Sequence, residues 1–147
     1  MTFTIGRGND LVVQAIPYFA SALVGHSLSS LVNNFAATWK ALTQDCQVRW
    51  VGPEKGVTHL ALGAVINAIW DLWAKSANRP VWKLVADFTP EEFIRCVPFD
   101  YIKDAITPEE ATVLLTRVSG LDKEKRLQDA LDDRAVPIYT ISAGWLG

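Results

Sequence analysis

The stretch from Gly56 to Ala74 restricts most tightly what this chain can become. It is almost continuously apolar, and its polar exceptions His59, Asn67 and Asp71 recur at spacings of eight and four. At the helical period those three side chains share one stripe, leaving the rest of the surface apolar. The run is nearly long enough to cross a bilayer, but charge at mid-membrane is costly. A buried helix with one polar stripe explains the same pattern more simply. We therefore expect a core helix from about Gly56 to Lys75, with His59 as a hydrogen-bonded core residue. Gly63, Ala64 and Ala68 lie on one flank, where small residues would let another helix approach closely.

The rest of the chain has the composition to pack around such a helix. Of its 147 residues, 50% are hydrophobic and 20% charged, a globular balance and not a disordered one. A net charge of −2 provides no basic field for a phosphate backbone, which argues against nucleic-acid binding. Six tryptophans are a high load, expected mostly in the core or an interface. Cys46 and Cys96 are far apart in unlike surroundings. One disulfide is open to them, but with nothing else suggesting secretion, reduced half-buried thiols in the cytoplasm are the simpler reading. Met1 to Gly8 shows no basic region followed by an apolar run, so no signal peptide is expected.

Ahead of the core helix, Thr2-Phe3-Thr4-Ile5 alternates like a strand end, and Gly6-Arg7-Gly8 breaks it. Asn9 reads as an N-cap and Asp10 favours the positive helix end, starting a helix to about Val24. Leu11, Val12, Ala15, Ile16, Phe19, Ala20 and Leu23 lie on or near one face, and Pro17 should bend it. Gly25-His26-Ser27 restarts the chain into a helix from about Leu28 to Leu42, with Leu28, Leu31, Phe35 and Trp39 in its stripe. Thr43 to Gly56 is irregular and polar.

Beyond the core helix, Asn78-Arg79-Pro80 is a stop, and Val81 to Val85 a short apolar turn or helix. Thr-Pro-Glu-Glu then occurs at Thr89 and again at Thr107. Each is a helix start: threonine caps an amide, proline suits the first position, and the second glutamate closes a capping box. The sequences after the two do not match, so this is reuse of a cap and not a repeat. A charged helix from about Asp122 to Asp133 leads into Val136 to Ser142, which reads as a buried parallel strand. A mostly helical chain with a strand stub at each end leaves those strands unpaired, so the sequence reads as cut at both ends.

Few constellations of catalytic type are present. Gly6-Arg7-Gly8 before a helix would suit an anion at the helix N-terminus, but a bare Gly-x-Gly is also the ordinary form of a tight turn. The histidines lack metal-ligand spacing. Glu91-Glu92, Glu109-Glu110 and Asp132-Asp133 are neighbours whose side chains diverge on a helix, reading as caps or solvated charges. No serine sits in a nucleophile elbow. The loop Gln47 to Gly56, with Arg49, Trp50, Glu54 and Lys55, would clamp a carboxylate; alternatively it is a structural loop pinned by an Arg–Glu pair and a buried Trp50.

Ala64-Val65-Ile66-Asn67-Ala68-Ile69-Trp70-Asp71-Leu72-Trp73-Ala74-Lys75, with Asn78-Arg79-Pro80-Val81-Trp82-Lys83-Leu84 after it, resembles the capping-domain helix of the mandelate racemase group of the enolase superfamily. Leu42 to Val57, Phe99 to Thr107 and Ile138 to Gly147 are similar to segments of L-fuconate dehydratases, the last to their first barrel strand. Phe3 to Gly8 fits the last strand of the cap's small sheet and the loop after it. The resemblance covers essentially the whole chain.

It implies an incomplete, mostly α capping domain of α+β type over residues 1–135, with residues 136–147 starting a (β/α) barrel that is absent. It further implies a parent hydro-lyase in which Mg2+, held by three barrel carboxylates, stabilises an enediolate formed by α-proton removal, and water leaves an acid sugar such as L-fuconate. The catalytic bases and metal ligands would all lie beyond Gly147, so this chain should hold no metal and show no turnover. Thr4, Arg7, Ser142 and Trp145 are the residues placed at the substrate rim. A reading from another class is a non-catalytic helical module that pairs with a separate barrel chain or with itself, motivated by apolar surface around Trp70, Trp73, Trp82 and the terminal strand. No membrane partner is expected.

Overall fold

The long apolar run forms a single helix, α4 (Gly56–Ser76), in the computed structural model, and the helices before it and the one directly after it pack against it. The structure describes residues 7–48, 50–51, 56–119 and 122–133, and among them all regular structure is helical. The strands expected near Thr2–Ile5 and Val136–Ser142 lie outside the described residues. The expected bounds of α4 agree with the observed ones to within a residue at its C-terminal end. Thr58, Ala61, Leu62, Val65, Ile69 and Ala74 are its buried positions, a helical stripe of period three to four.

That stripe meets α1 (Asn9–Ser21). Val12 and Phe19 of α1 join Leu42, Ala61, Leu62 and Val65 in the main core cluster, with Ala15, Ile16, Ala20 and Leu23 packed at its edge. Leu11, expected on this face, is 60% exposed. Close packing falls at Ala61, which is fully buried, and not at Gly63, where an added Cβ would meet nothing within 4 Å.

Helix α1 starts differently from the expectation. Its N-cap is Gly8 and not Asn9: Gly8 takes φ 98°, a conformation that penalises any Cβ, and Asn9 is already helical. Its carbonyl accepts the Leu11 and Val12 amides at 3.1 and 3.4 Å. The helix runs unbroken through Pro17 and ends at Ser21, earlier than Val24. Leu23 and Val24 bond three residues back, so the chain tightens into turns before Gly25.

The single helix expected over Leu28–Leu42 is two: α2 (Leu28–Val32) and α3 (Phe35–Thr43). Asn34 breaks the ladder at φ −140° and caps α3, its side-chain oxygen accepting the Ala37 amide at 3.1 Å. The Ala36 amide donates to the Arg95 carbonyl at 2.8 Å, a tertiary bond that replaces a helical one. Phe35, 4% exposed, then packs on Trp70 with ring centroids 4.8 Å apart. Trp70 stacks on Trp73 at 5.1 Å and Trp73 meets Phe88 at 5.0 Å, so a second, aromatic cluster lies beside α4.

Asn78, at φ 51°, ends α4 in the left-handed conformation, and the Arg79 amide returns to the Ala74 carbonyl at 3.0 Å. The remaining helices are α5 (Val81–Ala86), α6 (Pro90–Ile94), α7 (Pro108–Ser119) and α8 (Lys123–Asp132), with a 3-10 turn at Phe99–Tyr101. Both capping boxes form. Glu92 and Glu110 accept the Thr89 and Thr107 amides at 2.8 and 2.9 Å, and each threonine oxygen accepts the glutamate's amide at 3.2 Å. The helices they start differ in length, five residues against twelve, consistent with a reused cap. Thr107→Ala should cost about 1 kcal/mol of stability and Thr107→Ser much less; thermal unfolding of the two variants separates them.

The tryptophans are less buried than expected. Among the described residues Trp39, Trp70 and Trp73 are half-buried, while Trp82 is 53% and Trp50 84% exposed. Their rings supply packing at the edge of the core, not at its centre.

Candidate functional site

Of the four rim candidates, only Arg7 falls within the described residues; Thr4, Ser142 and Trp145 lie outside them. Arg7 is exposed and directly precedes Gly8 at the start of α1. Among the described residues no side-chain hydrogen bond caps Gly8, and the first amides of α1 follow directly on Arg7 in the chain.

In the loop before α4, Arg49 and residues 52–55 lie outside the described residues, so neither the carboxylate clamp nor the Arg–Glu pin can be drawn. Trp50 is exposed and not buried, and Cys46–Val48 is a 3-10 turn. His59 is half-buried and meets the Trp39 ring edge-on at 5.9 Å. Asp71, at the far end of the polar stripe, is exposed and pairs with Lys75 at 2.6 Å, one helical turn on. The two thiols are free; Cys46 is exposed where a half-buried thiol was expected, and burial raises the Cys96 pKa above its usual value.

Among the described residues no three histidine, cysteine or acidic side chains converge to hold a metal ion. The acidic pairs do the work of caps and solvated charges: Glu92 and Glu110 close their boxes, and Asp132 accepts from Gln128 at 2.8 Å. These residues do not fit a Mg2+ site.

The strongest electrostatic features are structural. Lys40 of α3 donates to Asp100 at 2.6 Å, holding the 3-10 turn of the Phe99–Thr107 segment against α3. The Lys40 hydrogen bond and charge hold the Asp100 carboxyl below its usual pKa. A shallow cleft of about 380 Å3 surrounds this pair, with Asn34, Arg95 and Phe99 on its walls. Asp87, at the end of α5, collects Lys83 at 2.6 Å, Arg79 at 2.9 Å and Lys123 at 3.6 Å. It thereby links the end of α4, α5 and α8.

Only part of this was visible from spacing: Lys83 and Asp87 are four apart on a helix, whereas Lys40 and Asp100 are 60 apart and meet through the fold. The Lys83 hydrogen bond is the main cause that lowers the Asp87 pKa, partly opposed by burial. A depressed carboxyl pKa stabilises the fold above the unfolded value and ceases to as pH falls through the folded one. Asp87→Asn should therefore cost about 1 kcal/mol or less at neutral pH, a loss that shrinks as pH falls below about 4 and vanishes only beneath the lowered folded pKa. Unfolding midpoints at pH 7 and pH 3 check this; an equal loss at both would show that Asp87 acts through packing and not charge.

Fold and sequence both place this helical unit with enolase-superfamily proteins. It is 63% identical over all 147 residues to an L-galactonate dehydratase of Hypocrea jecorina, and 45% identical to mitochondrial enolase superfamily member 1 of Bos taurus. The crystal structure of human mitochondrial enolase superfamily member 1 matches at a TM-score of 0.79 and 44% identity over 86% of this chain. The chain spans about a third of these relatives: 32% and 33% of the two sequences and 29% of the solved chain. No family model matches it.

Proposed function

We propose that these 147 residues are the capping segment of an acid-sugar dehydratase, with residues 1–135 in the cap and 136–147 opening the barrel. The observation that carries this reading is the 63% identity, across every residue of the chain, to a protein named for dehydrating L-galactonate. L-Fuconate, suggested by the resemblance of three segments, is the second substrate of the proposal. Thr4, Arg7, Ser142 and Trp145 are its rim residues, contributing contacts and not chemistry. The Mg2+ requirement that the resemblance implies would rest on ligands other than the described residues. We place the protein in the cytoplasm; fractionation against mitochondria tests this, since several relatives carry a mitochondrial name.

The 147-residue chain incubated with Mg2+ and either L-galactonate or L-fuconate should release no 2-keto-3-deoxy acid, whereas the same residues joined to the remaining two-thirds of a relative should. Turnover by the short chain would overturn the assignment of catalysis to residues outside it.

A second reading, a helical module that pairs with a separate barrel chain or with itself, is favoured by one observation. Val113, Leu114 and Val118, within two turns of α7, are 68%, 52% and 47% exposed, and exposed apolar surface marks contact sites where it is contiguous. The surface around Trp70 and Trp73 does not carry it, since those rings are half-buried against Phe35 and Phe88. Gel filtration at low concentration separates the readings: a well-behaved monomer argues against obligate pairing.

A further inference from the structure

We draw no further inference here: the strongest candidate, the apolar groove of about 420 Å3 walled by Phe93 of α6, Leu115 and Val118 of α7 and Leu127 of α8, carries nothing because nothing in the structure shows what covers it.

Discussion

Leu62→Ala is expected to remove about 3 kcal/mol of stability, through lost transfer energy and the cavity left behind. Leu62 is fully buried, at the centre of the cluster where α4 meets Val12 and Phe19 of α1 and Leu42 of α3. Its neighbours belong to two other helices, so collapse onto the gap would require backbone movement in all three. A chain of this size has only about 5–15 kcal/mol in total, and the unfolding midpoint should fall by roughly 10 °C. Leu72→Ala, on the same helix but 54% exposed, is the control, with a change within about 0.5 kcal/mol. Equal losses at the two positions would mean that α4 is not packed on α1 as described.

The contrast between Leu62 and Leu72 also marks how far the sequence could be read. The existence of α4 was legible because Gly56 and Asn78-Arg79-Pro80 bound an apolar run too long to be a strand. Its buried stripe was legible only in part. Periodicity marks a polar side, but exposure also depends on neighbours, and Leu72 is as apolar as Leu62. The two threonine caps were legible because their bonds are local and each residue type has a stated job. The break at Asn34 was not. Leu31, Phe35 and Trp39 continue one stripe across it, and what favours the break is a bond from Ala36 to Arg95, set by tertiary structure.

The candidate site was legible to a lesser degree, for a related reason. Caps and i,i+4 pairs such as Asp71–Lys75 are written in spacing. The Lys40–Asp100 contact is not, because it needs the fold to bring α3 to the turn at Phe99–Tyr101. Rim residues are harder still, since their role depends on a substrate surface to which Arg7 alone among the described residues is assigned. The superfamily assignment came from ordered residue identities that no single physical rule supplies. Physical chemistry accounts for the helical body; relatedness alone suggests which chemistry to test.

Phe35→Ala should cost about 3–4 kcal/mol, and its signature should be optical as well as thermodynamic. The ring is 4% exposed and lies 4.8 Å from Trp70, which is itself stacked on Trp73 at 5.1 Å. Trp73 meets Phe88 in turn at 5.0 Å and Trp70 lies 6.3 Å from the same ring, so both indoles keep aromatic contacts when Phe35 is removed. Helix α3 is equally restrained, because the Ala36 amide is tied to Arg95 and Asn34 caps the helix start. With both walls held, the cavity stays largely open, which keeps the cost within the range for aromatic truncation. Water reaching the Trp70 face should shift tryptophan emission to longer wavelength in the folded state, while Phe35→Leu recovers most of the stability and the original emission. The Leu62→Ala variant, altered on the α1 side of α4, should lose stability without that spectral change. A Phe35→Ala protein with unaltered emission and a loss below about 1 kcal/mol would show that the aromatic cluster does not hold α3 to α4.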